Sequence, residues 1–132
     1  MASFAKAFNV YLNGLTSVNT LVTEIQFDLS PVGKTGNRFV MTTVVDPQIK
    51  ETLCDKRAGQ CLVQFDAYGE ERYSLHEKAN DLMIIIQDLR GSIGNNFTVW
   101  KMDVTGVRSF GTMEDDQYRY LFEATVHWSL TT

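Results

Sequence analysis

The stretch 118–130, YRYLFEATVHWSL, alternates apolar and polar residues at every position but Leu121. Tyr118, Tyr120, Phe122, Ala124, Val126, Trp128 and Leu130 fall on one face; Arg119, Glu123, Thr125, His127 and Ser129 fall on the other. A period of two sustained over 13 residues predicts a half-buried strand. At roughly 3.3 Å per residue that strand is about 43 Å long. A compact domain of this chain length has a radius of gyration of roughly 14 Å, hence a diameter of about 36 Å. The final hairpin must therefore bend strongly or project beyond the body.

The remaining elements follow from periodicity and breakers. Phe4, Phe8, Tyr11, Leu12 and Leu15 have helical spacing, with Ser3 as a cap and Gly14 as a left-handed stop. In Thr23–Leu29 the residues Ile25, Phe27 and Leu29 alternate with polar ones, as in a strand. SPVGKTGN reads as a loop, and Arg38–Val45, rich in Val, Thr and Phe, as a second strand ended by Asp46-Pro47. The charged stretch 48–58 reads as an excursion between strands, and Gln60–Tyr68 as the third strand. Ser74 and Glu77 have capping-box spacing. Leu75, Ala79, Leu82, Met83, Ile86 and Leu89 then form one helical stripe, closed by Gly91. A strand over 97–107 and the strand 118–130 flank an acidic hairpin loop, RSFGTMEDDQ. The order α-β-β-β-α-β-β predicts an α+β fold, a mainly antiparallel four- to five-stranded sheet with two helices on one face. Residues 1–132 read as a single domain without repeat or linker.

Composition narrows the function classes. A net charge of −4, with 12 basic residues scattered along the chain, argues against a nucleic-acid-binding surface. No apolar run approaches the roughly 20 residues that span a bilayer. The N-terminal MASFAKAFNVYLNGL is amphipathic and lacks a signal-peptide core. Cys54 and Cys61 have no metal-ligand spacing and read as thiols in a reducing compartment. The Asn96-Phe97-Thr98 sequon reads as a chance match.

The side chains that could carry chemistry are His76, His127, Asp66, Glu77 and Asp81. His76 falls in the first turn of a helix, where the dipole opposes a protonated imidazole. Neither histidine has the spacing of a metal pair. Asp66 sits mid-strand, where a carboxylate faces water or pairs across strands. Glu114-Asp115-Asp116 lacks the alternation of a calcium loop. PVGKTGN lacks the spacing of a phosphate loop. The sequence thus predicts no catalytic centre, no metal and no cofactor. A small-ligand-binding domain or enzyme using His127 and Asp66 is the alternative, and it requires one cleft joining them.

The strand 97–107 carries apolar residues on both faces. Phe97, Val99 and Val107 point one way; Trp100, Met102 and Val104 point the other. Two readings are open. Either a β-bulge switches faces midway, or a second subunit buries the second face.

The whole layout resembles the tail terminator family, the small tail-completion proteins of long-tailed bacteriophages. The resemblance starts at the N-terminal helix and SVNTLVTEIQF. It is carried most by GQCLVQFDAYGEERYSLHEKANDLMIIIQDLRG, where that family has a strand, a polar turn and a helix of the type a..la..i...l.g. TGVRSFGTMEDDQYRYLFEATVHWSL matches its closing strand, acidic loop and yr....f.v.. strand. The family's proline-rich segment after the first strand is represented here by Pro31 alone.

The resemblance implies a virion structural protein at the head-proximal end of the tail, assembled in the cytoplasm of a bacterial host. It implies a ring, usually a hexamer, that caps the tail tube, stops polymerisation and presents a surface for the head connector. Partners would be further copies of the chain, the tube protein and the connector, with DNA only passing through the lumen and no membrane. The expected subunit contact is Trp100, Met102 and Val104. The expected docking loop on a ring face is Glu114, Asp115 and Asp116. Another neck, head-completion or tube component is the alternative within the same class.

Overall fold

The computed structural model describes residues 4–22, 24–27, 38–51, 57–112 and 118–130. These form an α+β domain with helices α1 (Phe4–Asn13), α2 (Thr16–Asn19) and α3 (Arg72–Gln87). The strands are β1 (Ile25–Phe27), β2 (Arg38–Glu51), β3 (Arg57–Gly69), β4 (Gly91–Gly94), β5 (Phe97–Val104), β6 (Arg108–Thr112) and β7 (Tyr118–Leu130). All seven join one sheet in the order β1-β2-β3-β7-β5-β4, with β6 also on β7. β1 and β2 are parallel and every other pair is antiparallel.

The expected α+β class is correct, but the expected four- to five-stranded sheet with two helices is too small. The differences have local causes. Residues 48–51 continue β2 and 57–58 begin β3, so both ends of the expected excursion are paired strand, and 52–56 lie outside the described residues. Pairing survives Asp46-Pro47 because the register shifts between Val45 and Gln48, and a shift is where a strand accommodates proline. Part of the expected acidic loop, Arg108–Thr112, pairs with β7 as β6. β4 has only four residues, and Gly91 at its start has φ +99°. That glycine turns the chain out of α3 and into the sheet rather than stopping the helix directly. β4 and β5 are joined through Asn95 and Asn96, both at positive φ, as a tight two-residue hairpin requires.

The C-terminal strand does not project unsupported. β3 pairs with β7 from Arg57↔Leu130 to Gly69↔Tyr118. On the other edge β5 serves the C-terminal half of β7 and β6 the N-terminal half. Thr105 bridges the gap: its N–H donates to Glu123 O at 2.9 Å, and its hydroxyl accepts from Glu123 N–H at 2.9 Å.

The core lies between the helices and one face of the sheet. Phe8, Leu12, Leu75, Ala79, Leu82 and Ile86 meet Met41, Val63, Phe65, Phe122, Ala124 and Val126, all buried. Aromatic rings run through it. Phe4 stacks on Trp128 with centroids 5.3 Å apart, Phe97 meets both edge-on, and Phe65 stacks on Phe122 at 5.1 Å. The capping box does not form. α3 starts three residues earlier, with Glu71 rather than Ser74 at its N-cap, and Ser74 lies within the first turn. Ser3 lies outside the described residues, and Gly14 does not have the positive φ expected of it.

One helix-to-strand contact was not legible in the sequence. Asn13 Nδ2 donates to Ile25 O at 3.1 Å, and Ile25 N–H donates to Asn13 Oδ1 at 2.7 Å. Asn9 Nδ2 donates to the same carbonyl at 3.1 Å. The amide of Asn13, joined by that of Asn9 at the carbonyl, thus does for β1 what a neighbouring strand would do, on an edge that no strand covers among the described residues. Asn13→Ala is expected to cost about 1–3 kcal/mol, the penalty for leaving such groups unsatisfied. Urea melts measure this; a loss below about 0.5 kcal/mol, the size of an ordinary surface effect, would show that water replaces the amide without penalty.

Candidate functional site

The β5 strand holds the first group of expected site residues, and a bulge decides their fates. Its register on β7 shifts between Val99↔Trp128 and Lys101↔His127, so Trp100 is the extra residue. Val99 and Met102 both turn into the core, 1% and 6% exposed. Val104 is half-buried against it. Trp100 alone is thrown outward, 55% exposed. The bulge accounts for the two-faced pattern. Met102, expected at a subunit contact, is used by the chain's own core, which leaves Trp100 as the apolar group available on this strand.

Trp100 lies in a small surface cluster on β5 and β7. Its ring is 5.4 Å from that of His127, tilted by 52°. His127 Nε2 is 3.0 Å from Asp103 Oδ2, and Lys101 Nζ is 3.9 Å from the same oxygen. This explains why His127 occupies the polar face of β7 yet has a side chain only 17% exposed. Glu114, Asp115 and Asp116 lie outside the described residues.

A second polar cluster sits at the opposite end of the same sheet face. Arg38, Tyr68 and Arg119 lie in one row across β2, β3 and β7, next to the row Val40, Asp66 and Leu121. Arg38, Val40, Asp66, Tyr68 and Leu121 are buried although they point away from the helices. Arg119 Nε and Nη2 both reach Asp66 Oδ1 at 2.8 Å, and Gln64 Nε2 donates to Oδ2 at 2.9 Å. The Tyr68 ring lies between the guanidinium carbons of Arg38 and Arg119, at 5.4 and 5.8 Å. Burial pushes the Tyr68 phenol above its ordinary range and Asp66 adds to this, while Arg119 and Arg38 oppose it.

His127 and Asp66 do not share a cleft. Asp66 pairs with Leu121 and His127 with Gln60, six strand positions apart along β7. That spacing is about 20 Å. His76 lies over the ring of Tyr120 at 5.0 Å, exposed on α3, on the helix side of the sheet rather than with either cluster. Among the described residues no group of three or more His, Cys, Asp or Glu side chains could hold a metal ion. No helix among them is long and apolar enough to cross a membrane.

Two stretches of sheet edge also stand open. β1 covers β2 only from Phe39 to Met41, and β4 covers β5 only from Phe97 to Val99. Among the described residues no strand pairs with the outward edges of Thr42–Glu51 or Trp100–Val104. These edges lie on opposite sides of the sheet.

The described residues thus define an α+β domain with a seven-stranded mixed sheet, an exposed tryptophan beside one open edge, and a second open edge across the sheet. The same fold occurs in a chain from the virion of a native gene transfer agent particle, with a TM-score of 0.63 over 96% of this chain and 95% of that one, at 9% identity. No family model matches the sequence, and no curated protein matches it.

Proposed function

We propose that this chain is a virion structural protein and, within that class, a tail terminator: a ring of copies, six by the family's usual number, that caps the tail tube, stops its growth and offers a surface to the head connector. The observation that carries the reading is the fold shared end to end with a chain of a gene transfer agent virion. The tail-terminator pattern of the sequence supports the finer assignment. The role is structural, without catalysis or cofactor.

The open edges suit this role. An uncovered strand edge is a template for another chain. With one on each side of the sheet, a head-to-tail contact joins unlike surfaces, and such contacts close into rings when the rotation allows. Trp100 would anchor that contact and Val104 would border it. Glu114, Asp115 and Asp116 would sit on a ring face, where charge steers docking more than it adds affinity. DNA would pass through the lumen without binding.

Trp100→Asp tests the reading in virions assembled with the variant chain. The substitution is at an exposed site, so the fold should survive it. Losing a tryptophan anchor costs on the order of 2 kcal/mol or more, roughly thirtyfold in affinity, and a charge in its place adds to that. Negative-stain images should show mostly overlong or headless tails. Normal-length, head-joined tails at wild-type protein levels would remove the basis for this contact.

A further inference from the structure

We propose that His127, held by Asp103, fixes the direction of the Trp100 indole and so presents it as a preformed anchor for a second copy of the chain. The occupant rests on the ring reading above; the positioning does not.

Trp100 is the extra residue of a bulge, so no neighbour on the β7 ladder sets its direction. With 55% of its surface exposed, the indole would otherwise sample several rotamers. The His127 ring supplies one wall, 5.4 Å away and tilted by 52°. That wall is itself braced, because His127 Nε2 meets Asp103 Oδ2 at 3.0 Å across the β5–β7 ladder. Lys101, the ladder partner of His127, approaches the same carboxylate at 3.9 Å. The arrangement leads from backbone register to Asp103, to His127, to Trp100. An exposed aromatic held this way loses less freedom on binding than a mobile one, and restraining one side chain in advance is worth roughly two- to tenfold in affinity.

The choice of a second copy comes from position. Trp100 is the first residue of the open edge Trp100–Val104, so a strand added there would run directly beside the indole. The other open edge, on β2, belongs to the same chain and lies across the sheet, where a neighbouring copy can supply it. The local charges, Lys101 and Asp103, largely balance, so this patch selects for shape and apolar contact rather than for a charged ligand.

The test uses the full chain and two readouts. Trp128 is buried, so the difference between wild type and Trp100→Phe isolates the emission of Trp100. In His127→Ala, time-resolved anisotropy should show a larger fast-rotating component from Trp100. Sedimentation velocity should show self-association weakened roughly two- to tenfold. Trp100→Ala should weaken it by roughly thirtyfold or more, and adding His127→Ala should then have no further effect. Asp103→Asn, which keeps an oxygen acceptor for His127, should preserve both wild-type readouts, and a larger fast-rotating component in Asp103→Asn would count against the carboxamide as a sufficient brace. Unchanged anisotropy in His127→Ala would overturn the positioning role. A wild-type chain that stays monomeric across the accessible concentration range would overturn the second copy as occupant. Neither result bears on tail length, which tests the proposed function separately.

Discussion

Phe122→Ala is expected to lower the free energy of unfolding by about 3–5 kcal/mol. Phe122 lies near the middle of β7, 1% exposed, with its ring stacked on Phe65 at 5.1 Å. Truncation removes the transfer energy of a whole ring and leaves a cavity whose walls must move to fill it. They are poorly placed to do so. Phe122 pairs directly with Phe65 on β3, and β7 is held on its other edge by β5, Thr105 and β6. Leu82 of α3 faces the same region and is equally buried, so the helix cannot settle into the gap without losing its own contacts. Domains of this size have about 5–15 kcal/mol in total, so the variant should sit near the edge of stability. Urea melts should show a lower midpoint with an unchanged slope. A loss under about 1 kcal/mol would mean that the alternating face of the C-terminal strand is not the core face.

That face was the most legible feature of the sequence, and the reason is its length. Thirteen residues that alternate at every position but Leu121 fix a strand and its inward side. The stripe from Leu75 to Leu89 was legible for the same reason at helical period: Leu75, Ala79, Leu82, Ile86 and Leu89 are all buried. Where an element is short, no period can form. β4 has four residues, two of them glycine, and α2 has four. Direction is not written in alternation at all, so nothing in Ile25–Phe27 showed that β1 runs parallel to β2. The Ser74 cap failed because Glu71 already ends the extended chain, and the helix begins where the backbone turns rather than where the best capping residue lies.

The candidate site divides in the same way. The excess of apolar residues on β5 was visible, but one bulge changes the face of every residue after it. Met102 therefore joins the core and Trp100 is left outside. His127 and Asp103 are 24 residues apart, and their contact needs the β5–β7 register, which no local pattern supplies. Asn9 and Asn13 were simply polar residues on α1 until the fold placed Ile25 beside them.

Asp66→Ala is expected to cost about 3 kcal/mol, the lower end for breaking a buried ion pair. The side chain of Asp66 is 5% exposed and that of Arg119 is 23%, so the carboxylate is inside and the guanidinium keeps some water. Alanine removes the acceptor of Arg119 Nε and Nη2 and of Gln64 Nε2 together. It leaves a cation in a row with Arg38, across the ring of Tyr68. The loss is therefore larger than that of a neutral hydrogen bond. It also differs in kind from the loss of Phe122, and a second variant shows this. Changing Asp66→Leu and Arg119→Leu together removes both charges from a site that already contains Val40 and Leu121. Replacing a buried pair by apolar residues is often neutral, so the double variant should recover most of the stability lost in Asp66→Ala. Thermal and urea melts of the two proteins decide the matter. If Asp66→Ala melts within about 0.5 kcal/mol of wild type, the pair is no more than a surface contact. If the double variant is less stable than Asp66→Ala, the pair itself holds β3 and β7 together on the face away from the helices.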